Sequence, residues 1–140
     1  MRLVIQRVSK ASVSIDKKVV GSIDKGLMVL VGVAGSDDET IVDKYLNKLI
    51  KLRIFEDEAG KTNKSIRDVG GSLLLVSQFT LLASYKKGNR PSWIRAATHD
   101  ISVPLYNFFC TELSAQLGRN VATGSFGADM KVALVNDGPV

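Results

Sequence analysis

The sequence predicts an α+β fold: a mostly antiparallel, curved sheet or β-barrel-like core with about two helices packed on it. Segments typical of strands outnumber segments with helical periodicity by about seven to two. A polar turn at residues 16–18 separates the first strands, which indicates antiparallel pairing. Two later segments, 26–33 and 73–76, are apolar almost throughout, as in strands that are buried on both faces.

Length and composition indicate one globular domain over residues 1–140, since 45% of the residues are hydrophobic and 24% charged. No apolar run approaches the ~20 residues that span a bilayer, so no membrane contact is expected. One cysteine, Cys110, excludes an internal disulfide and indicates a reducing, cytoplasmic compartment. With His99 as the only histidine, no zinc site can be built within one chain, and we expect no metal or cofactor. A net charge of +5 favours a polyanionic partner, with nucleic acid first.

The strands of the first quarter of the chain follow from simple patterns. Residues 2–8 and 11–15 are predicted as two strands, the second alternating strictly between apolar and polar side chains. Residues 19–23 return as a hairpin partner. Residues 26–33 follow as a central strand.

Two helices are predicted. Ser36 and Glu39 have the spacing of a capping box, and apolar residues then recur at helical spacing, which predicts a helix over roughly 37–51. The second helix is predicted to have Pro104 in its first turn and to end at Gly118. Short strands are predicted at 53–55 and 131–135.

The stretch from Gly70 to Leu82 is the one around which the chain is organised. It begins with two glycines and continues as a buried strand, interrupted by the polar residues Ser77, Gln78 and Thr80. Buried polar groups need hydrogen-bond partners, because an unpaired one costs about 1–3 kcal/mol. These side chains therefore either bond to neighbouring backbone or line a ligand pocket, and composition alone does not decide between the two.

A basic loop follows this stretch. Its cationic residues surround an indole, Trp93, and such a loop suits contact with phosphates and bases. The alternative is a solvated loop whose tryptophan covers the core. The cationic residues are Lys86, Lys87, Arg90 and Arg95.

Neither familiar nucleophile system is well supported by the residues. A Ser-His-Asp triad would have to use His99, which lies in a polar loop where a histidine is more often solvated. Cys110 lies within the second predicted helix and is expected to pack rather than react.

Six stretches of the chain carry a family resemblance: 6–13, 52–57, 77–81, 87–92, 124–130 and 136–140. Together they closely resemble the D-aminoacyl-tRNA deacylase (D-tyrosyl-tRNA deacylase) family. The resemblance covers essentially the whole chain in order, with two small departures. Trp93 stands where the family usually has phenylalanine, and the family usually continues beyond Val140.

The resemblance implies a homodimeric hydrolase that cleaves the ester between a D-amino acid and the 3′-terminal adenosine of tRNA. It also implies activity on glycyl-tRNA mischarged on tRNA-Ala, and rejection of L-aminoacyl-tRNA by the backbone of a Gly-Pro pair. It predicts tRNA contacts by the basic loop.

The same resemblance assigns roles to residues. Ser77, Gln78, Phe79 and Thr80 would form the catalytic floor of the pocket. Gly138 and Pro139, joined by a cis bond, would come from the other subunit and exclude L side chains. Further substrate-binding positions are implied for Arg7, which would hold that pair, for Met130 beside it and for Phe126.

The chemical step has more than one candidate mechanism. An ester on a 2′,3′-diol is already activated, and the main-chain N–H groups of Phe79 and Thr80 are candidate oxyanion donors. Thr80 could instead be a nucleophile, although no activating base is near it in sequence. Two other functions also fit the sequence: an RNA-binding module without catalysis, and a structural dimer built on apolar strands.

Overall fold

The computed structural model describes all 140 residues, and its strands and helices bear out the α+β prediction. The chain contains eight strands, two α-helices and one short 3₁₀ helix. In order they are β1 (Arg2–Ile15), β2 (Lys18–Ile23), β3 (Gly26–Gly32), α1 (Glu39–Lys51), β4 (Phe55–Glu56), β5 (Thr62–Lys64), β6 (Ser72–Ser77), the 3₁₀ helix (Phe79–Leu82), α2 (His99–Leu117), β7 (Ala122–Thr123) and β8 (Lys131–Asn136).

The main sheet has the order β2-β1-β3-β6-β7, and β8 also pairs with β1. Strand β1 is antiparallel to β2, β3 and β8, as the early hairpin predicts. At the centre of the sheet, however, β3–β6 and β6–β7 are parallel. The sheet is therefore mixed, because α1 and α2 act as crossovers that return the chain in the same direction. The sheet curls until β2 meets β7: a Cβ on Gly21 would lie 2.6 Å from the carbonyl oxygen of Thr123.

Two apolar clusters fill the two faces of this sheet. Leu73 and Leu75 of β6 belong to the larger cluster, which packs against α1 and α2. Leu74 and Val76 point to the other face, inside the curve, and belong to the smaller cluster. The prediction that this strand is buried on both faces is confirmed, but the strand ends at Ser77 rather than continuing to Leu82.

The two predicted N-terminal strands form one strand, β1. Its register with β8 shifts between Val8 and Lys10, so Ser9 is an extra residue in the ladder. A bulge of this kind reverses the alternation of side chains. Val8, Ala11 and Val13 consequently all face the smaller cluster, which a strict two-residue period would not allow.

Both predicted helices are present, but their first residues differ from the prediction. The N-cap of α1 is Asp38, whose carboxylate accepts from the amide of Ile41, so the predicted capping role of Ser36 is wrong. Ser36 instead lies inside a turn that Asp37 closes. The Asp37 carboxylate accepts from the N-terminal ammonium and from the amide of Ala34, each at 2.7 Å, and the Asp37 amide donates to the carbonyl of Ala34 at 3.1 Å. The second helix begins at His99, so Pro104 is inside it and not in its first turn.

Neither helix is both long and apolar enough to cross a membrane.

Candidate functional site

The three parallel strands β3, β6 and β7 end at the same edge of the sheet. Ser77 pairs with Val31 near the end of β3, and the amide of Gln78 donates to the carbonyl of Val31 at 2.8 Å. Thr123, at the end of β7, pairs with Leu75. In sheets with parallel strands, ligands bind beyond the carboxyl ends of those strands. The predicted catalytic residues therefore lie where such a sheet offers a site.

A 3₁₀ helix gives residues 77–80 their shape. The amides of Phe79 and Thr80 are the first two of this helix, so they have no acceptor within it. The turn is held from two sides: Arg2 donates from Nη1 to the carbonyl of Leu81 at 2.6 Å, and a Cβ on Gly32 would lie 2.6 Å from a methyl group of Leu82. Sequence patterns did not single out Arg2 or Gly32 as supports of this turn.

The side chain of Thr80 is engaged by its neighbour. The amide nitrogen of Gln78 donates to the Thr80 hydroxyl, and no histidine or carboxylate makes a hydrogen bond with that hydroxyl. Ser77 and Gln78 are half-buried, whereas the Phe79 ring is exposed. The arrangement offers backbone donors and an amide, but no acid–base side chain paired with Thr80.

Aromatic rings flank the site on two sides. Phe79 packs edge-to-face on Trp93, with ring centroids 5.8 Å apart. Phe126, in the loop after β7, packs edge-to-face on Tyr106 of α2 and on His99, each at 5.6 Å. His99 is thus an aromatic neighbour of the predicted pocket residue Phe126 rather than a triad member.

Tyr106 links this aromatic group to the central strand. Its hydroxyl donates to the carbonyl of Leu75 at 2.9 Å, and burial raises the pKa of the phenol well above its usual range. The phenol therefore stays protonated and acts as a permanent donor that fixes Phe126 relative to β6.

Met130 lies near the same end, packed against the smaller cluster. Its sulfur occupies the space beside Gly124, where a Cβ on that glycine would overlap it. Gly124 and Phe126 belong to one short loop, but Phe126 packs against the larger cluster and Met130 against the smaller one, so the two side chains lie on opposite faces of the sheet.

The predicted tRNA-binding residues lie on one exposed loop. Reciprocal hydrogen bonds of 2.8 Å between the backbones of Ser84 and Ser92 close the loop, and Lys86, Lys87 and Arg90 are exposed at its tip. Arg95 is exposed just beyond it, and no salt bridge engages any of the four side chains. The loop directly follows the 3₁₀ helix, so its charge stands next to residues 77–80.

Arg7 is buried, with 7% of its surface exposed, and it holds the segment that precedes Gly138. Its Nε donates to the carbonyl of Asp137 at 2.8 Å, and its Nη1 donates to the carbonyl of Ile54 at 2.7 Å. The bond between Gly138 and Pro139 is cis.

The Arg7 anchor and residues 77–80 lie at different ends of the sheet. Arg7 pairs with Leu27 at the start of β3, whereas Ser77 pairs with Val31 near its end. Four residues of strand separate these levels by about 13 Å. No hydrogen bond or salt bridge joins residues 137–140 to residues 77–80, so one chain does not bring the two predicted halves of the site together.

Two concave regions of the surface have volumes of about 560 and 610 Å³, and residues 77–80 line neither. The first opens at the other end of the curved sheet, beside Ser12, Ser22 and Ser72. The second lies along α1. The predicted catalytic segment therefore lies outside both of these concave regions.

No group of three or more histidine, cysteine, aspartate or glutamate side chains is arranged to hold a metal ion.

Cys110 is expected to resist alkylation in the folded protein. Burial raises the pKa of its thiol to about 11. Because the thiolate is the reactive form, alkylation at pH 8 should be about 100-fold slower than in the unfolded chain. Iodoacetamide labelling followed by mass spectrometry, with and without guanidinium, measures the ratio. Equal rates in the two states would contradict this placement of Cys110.

Comparison with known proteins places the chain in a family. The sequence model of the D-Tyr-tRNA(Tyr) deacylase family matches residues 4–140. A D-aminoacyl-tRNA deacylase of Phocaeicola vulgatus is 59% identical over 140 residues, which is 100% of this chain and 93% of that protein. One of Dechloromonas aromatica is 56% identical with the same coverage.

Solved structures show the same fold. A chain described as a c-Myc DNA Unwinding Element Binding Protein superposes with a TM-score of 0.94 at 37% identity, covering 100% of this chain and 95% of that one. A structure described as a probable eukaryotic D-amino acid tRNA deacylase superposes with a TM-score of 0.86 at 17% identity, over 98% and 94% of the chains, and this likeness concerns the fold alone. The chain belongs to the D-Tyr-tRNA(Tyr) deacylase family.

Proposed function

We propose that this protein hydrolyses the ester bond of D-aminoacyl-tRNA and releases the free D-amino acid and tRNA. Family membership over residues 4–140 supports the reaction. The observation that carries the proposal is the 3₁₀ turn, which leaves the amides of Phe79 and Thr80 without an intrahelical acceptor next to an exposed cationic loop. We extend the proposal to glycyl-tRNA mischarged on tRNA-Ala, and place the reaction in the cytoplasm.

The reaction needs little from side chains. Water attacks the ester carbonyl carbon, negative charge develops on the carbonyl oxygen, and the bond to the ribose oxygen breaks, leaving a free carboxyl group and a ribose hydroxyl. The neighbouring hydroxyl of the ribose assists the water. The amides of Phe79 and Thr80 would donate to the developing oxyanion, a contribution of about 3–4 kcal/mol per donor in other enzymes.

Chiral selection would come from the backbone of Gly138 and Pro139, supplied by the second subunit of a homodimer. The anchor of this segment, Arg7 with Asp137, is about 13 Å along the strand from the level of Ser77. A site that uses both segments is therefore easier to assemble from two chains than from one. Rigid backbone placed against the Cα of the substrate would admit a D side chain or glycine and exclude an L side chain.

Exposed apolar side chains support a homodimer interface beside the site. Phe79 is 53% exposed, Trp93 41% and Ile94 89%. Exposed apolar side chains that cluster together mark interaction surfaces. A second copy covering them would also shield the ester from bulk water.

We expect a dimer in solution. Sedimentation at micromolar concentration should give about twice the 15.2 kDa of one chain. A monomer that retains full deacylase activity and full discrimination against L substrates would contradict the two-chain site.

The expected effect of Thr80→Ala is small. The substitution removes the hydroxyl that accepts from Gln78 but keeps the main-chain amide, so the rate of D-aminoacyl-tRNA hydrolysis should fall at most about tenfold. A nucleophile would behave otherwise, because its loss costs several orders of magnitude. Single-turnover kinetics measures the rate. A collapse of activity, together with an acyl-enzyme trapped on wild-type Thr80, would overturn the backbone mechanism.

The direct test of the function compares hydrolysis of D- and L-aminoacyl-tRNA carrying the same amino acid, with glycyl-tRNA-Ala as a third substrate. We expect release of the D-amino acid and of glycine, and protection of the L ester. Equal hydrolysis of D and L esters, or of neither, would contradict the proposal.

A nucleic-acid-binding role without hydrolysis is the second candidate. The solved structure at 37% identity is described as a DNA unwinding element binding protein, and the loop cations Lys86, Lys87, Arg90 and Arg95 would serve such a role here. Binding of DNA as tight as that of tRNA, without any deacylation, would favour this alternative.

A further inference from the structure

Helix α1 carries a cationic face that the site described above does not use. Lys44, Lys48 and Lys51 are exposed and stand at i, i+4 and i+7. At 100° per residue these positions fall within about 60° of one another around the helix axis, so the three ammonium groups share one side. Together with Arg53 they line a shallow groove of about 610 Å³ along the helix.

The groove has no acidic lining. Its remaining lining residues are Tyr45, Asn47 and Leu52. The nearest acidic residue of the helix, Asp43, is turned about 100° away from Lys44. None of the three lysines takes part in a salt bridge, although the protein forms such pairs elsewhere, as between Lys64 and Glu58.

This arrangement is unfavourable for the helix by itself. Like charges at i, i+4, such as Lys44 and Lys48, destabilise an isolated helix. For Lys48 and Lys51 this repulsion is partly offset, because they lie in the last turn, near the negative end of the helix dipole. Lys44 is in the middle of the helix and has no such compensation. A row of cations that the helix does not neutralise is suited to an anionic partner with repeated charges.

The helix also starts beside the predicted catalytic end. The amide of Gly35, just before α1, donates to the carbonyl of Arg95, which ends the basic loop. From Glu39 the helix runs 13 residues, or about 20 Å. The basic loop therefore contacts the chain just before α1, and the helix with its lysines runs away from that contact.

We propose that the Lys44, Lys48 and Lys51 face of α1 binds the phosphate backbone of the tRNA whose 3′ end occupies the catalytic site. This inference rests on the proposed function and adds a second contact region to it. Lysine ammonium groups bind phosphates as point charges and need no particular base, so the contact would be independent of sequence. It would contribute to the affinity for whole tRNA and nothing to the chemical step.

The test is the triple variant Lys44→Gln, Lys48→Gln and Lys51→Gln. Glutamine has nearly the helix propensity of lysine, so α1 should persist, which circular dichroism checks. The matched control replaces three exposed lysines outside the groove with glutamine, and so removes the same charge: Lys17, Lys18 and Lys61.

Binding of tRNA is measured between 50 and 200 mM salt. Three lost phosphate contacts lower the slope of log affinity against log salt by about 2, so wild type and control should lose about 20-fold more affinity over this range than the groove variant. An unchanged slope in the groove variant, or an equal change in the control, would overturn the inference.

Hydrolysis is then compared on D-aminoacyl-tRNA and on D-aminoacyl-adenosine, which has no phosphate backbone. The groove variant should show a KM for D-aminoacyl-tRNA raised about tenfold at 150 mM salt, with unchanged hydrolysis of the adenosine ester. Equal losses on both substrates would overturn the inference. Wild-type protein that hydrolyses neither substrate would instead refute the proposed function, while the salt dependence of tRNA binding would still decide the role of α1.

Discussion

Gly26→Ala is expected to lower the free energy of unfolding by about 4 kcal/mol or more, which places it among the most damaging single substitutions. A Cβ at this position would overlap the carbonyl oxygen of Ser72 and lie 2.7 Å from its nitrogen. Both are backbone atoms of the neighbouring strand, so no change of rotamer relieves the overlap.

The substitution would disrupt the pairing of β3 with β6, the strand that leads into residues 77–80. Gly26 and Ser72 begin the parallel ladder between β3 and β6, and the amide of Ser72 donates to the carbonyl of Lys25 at 3.0 Å. Relief of the overlap requires the two strands to separate at this end. Domains of this size have about 5–15 kcal/mol of stability in total, so a large part of it would be lost.

Thermal unfolding followed by circular dichroism measures this effect. A loss of 4 kcal/mol corresponds to a Tm lower by about 10 °C or more in a chain of this length. Gly35→Ala is the matched control, since nothing lies within 4 Å of a Cβ built at Gly35. A Tm for Gly26→Ala within about 2 °C of wild type would show that the strands do not approach as closely as described.

The sequence predicts the fold well where one rule acts alone. The apolar run in β6 and the helical period in α1 each have a single reading, and both elements are present. The prediction fails where two rules compete. Ser36 lies in a turn that Asp37 closes, so Asp38 is the N-cap, and no local pattern shows that the N-terminal ammonium engages Asp37.

Parallel pairing at the sheet centre was also beyond local patterns. The residues of a strand do not determine whether its neighbour runs parallel or antiparallel to it, and the early hairpin suggests antiparallel pairing. The extra residue at Ser9 is hidden for the same reason: only the partner strand β8 reveals that the two-residue period breaks between Val8 and Lys10.

The site was predictable in its segments but not in its supports. Residues 77–80 attract attention because polar side chains follow a buried strand. No sequence pattern marks the two residues that shape this turn, Arg2 and Gly32. Arg2 acts by donating to the carbonyl of Leu81 at 2.6 Å, and Gly32 acts by allowing the close approach of Leu82. Such contacts depend on strand register, which appears only in three dimensions.

Arg7→Met should have the largest effect on chiral selection. Methionine fills similar space but donates no hydrogen bond, so the carbonyls of Asp137 and Ile54 would lose their donors. Hydrogen bonds to a charged group contribute about 1.5–3 kcal/mol each, and we expect a loss of about 3 kcal/mol in stability. The carboxylate of Asp137 adds less, because it is 3.5 Å from Nε and half-exposed.

Arg7→Met should reduce discrimination against L-aminoacyl-tRNA more than it reduces hydrolysis of D-aminoacyl-tRNA. With its anchor gone, the Gly138–Pro139 segment would shift, and small displacements of a positioning group are costly. We expect the ratio of D to L hydrolysis to fall by about tenfold or more, while hydrolysis of the D substrate changes less. Arg67→Met is the control, because Arg67 makes one exposed bond, to the carbonyl of Gln116. An unchanged ratio in Arg7→Met would remove the segment from the selection mechanism.

Mixed dimers test whether the Gly138–Pro139 segment, here called the selector, acts on the active site of the other subunit. One chain carries Arg7→Met and keeps residues 77–80 intact, and the other carries Phe79→Pro, which removes one of the two main-chain donors proposed for the oxyanion. If Gly138 and Pro139 guard the partner's site, the one intact catalytic segment in this dimer faces the one intact selector. Rejection of L-aminoacyl-tRNA should then return to the wild-type ratio. If each chain guards its own site, the mixed dimer should be as permissive as the Arg7→Met homodimer, and the two-chain site would be refuted.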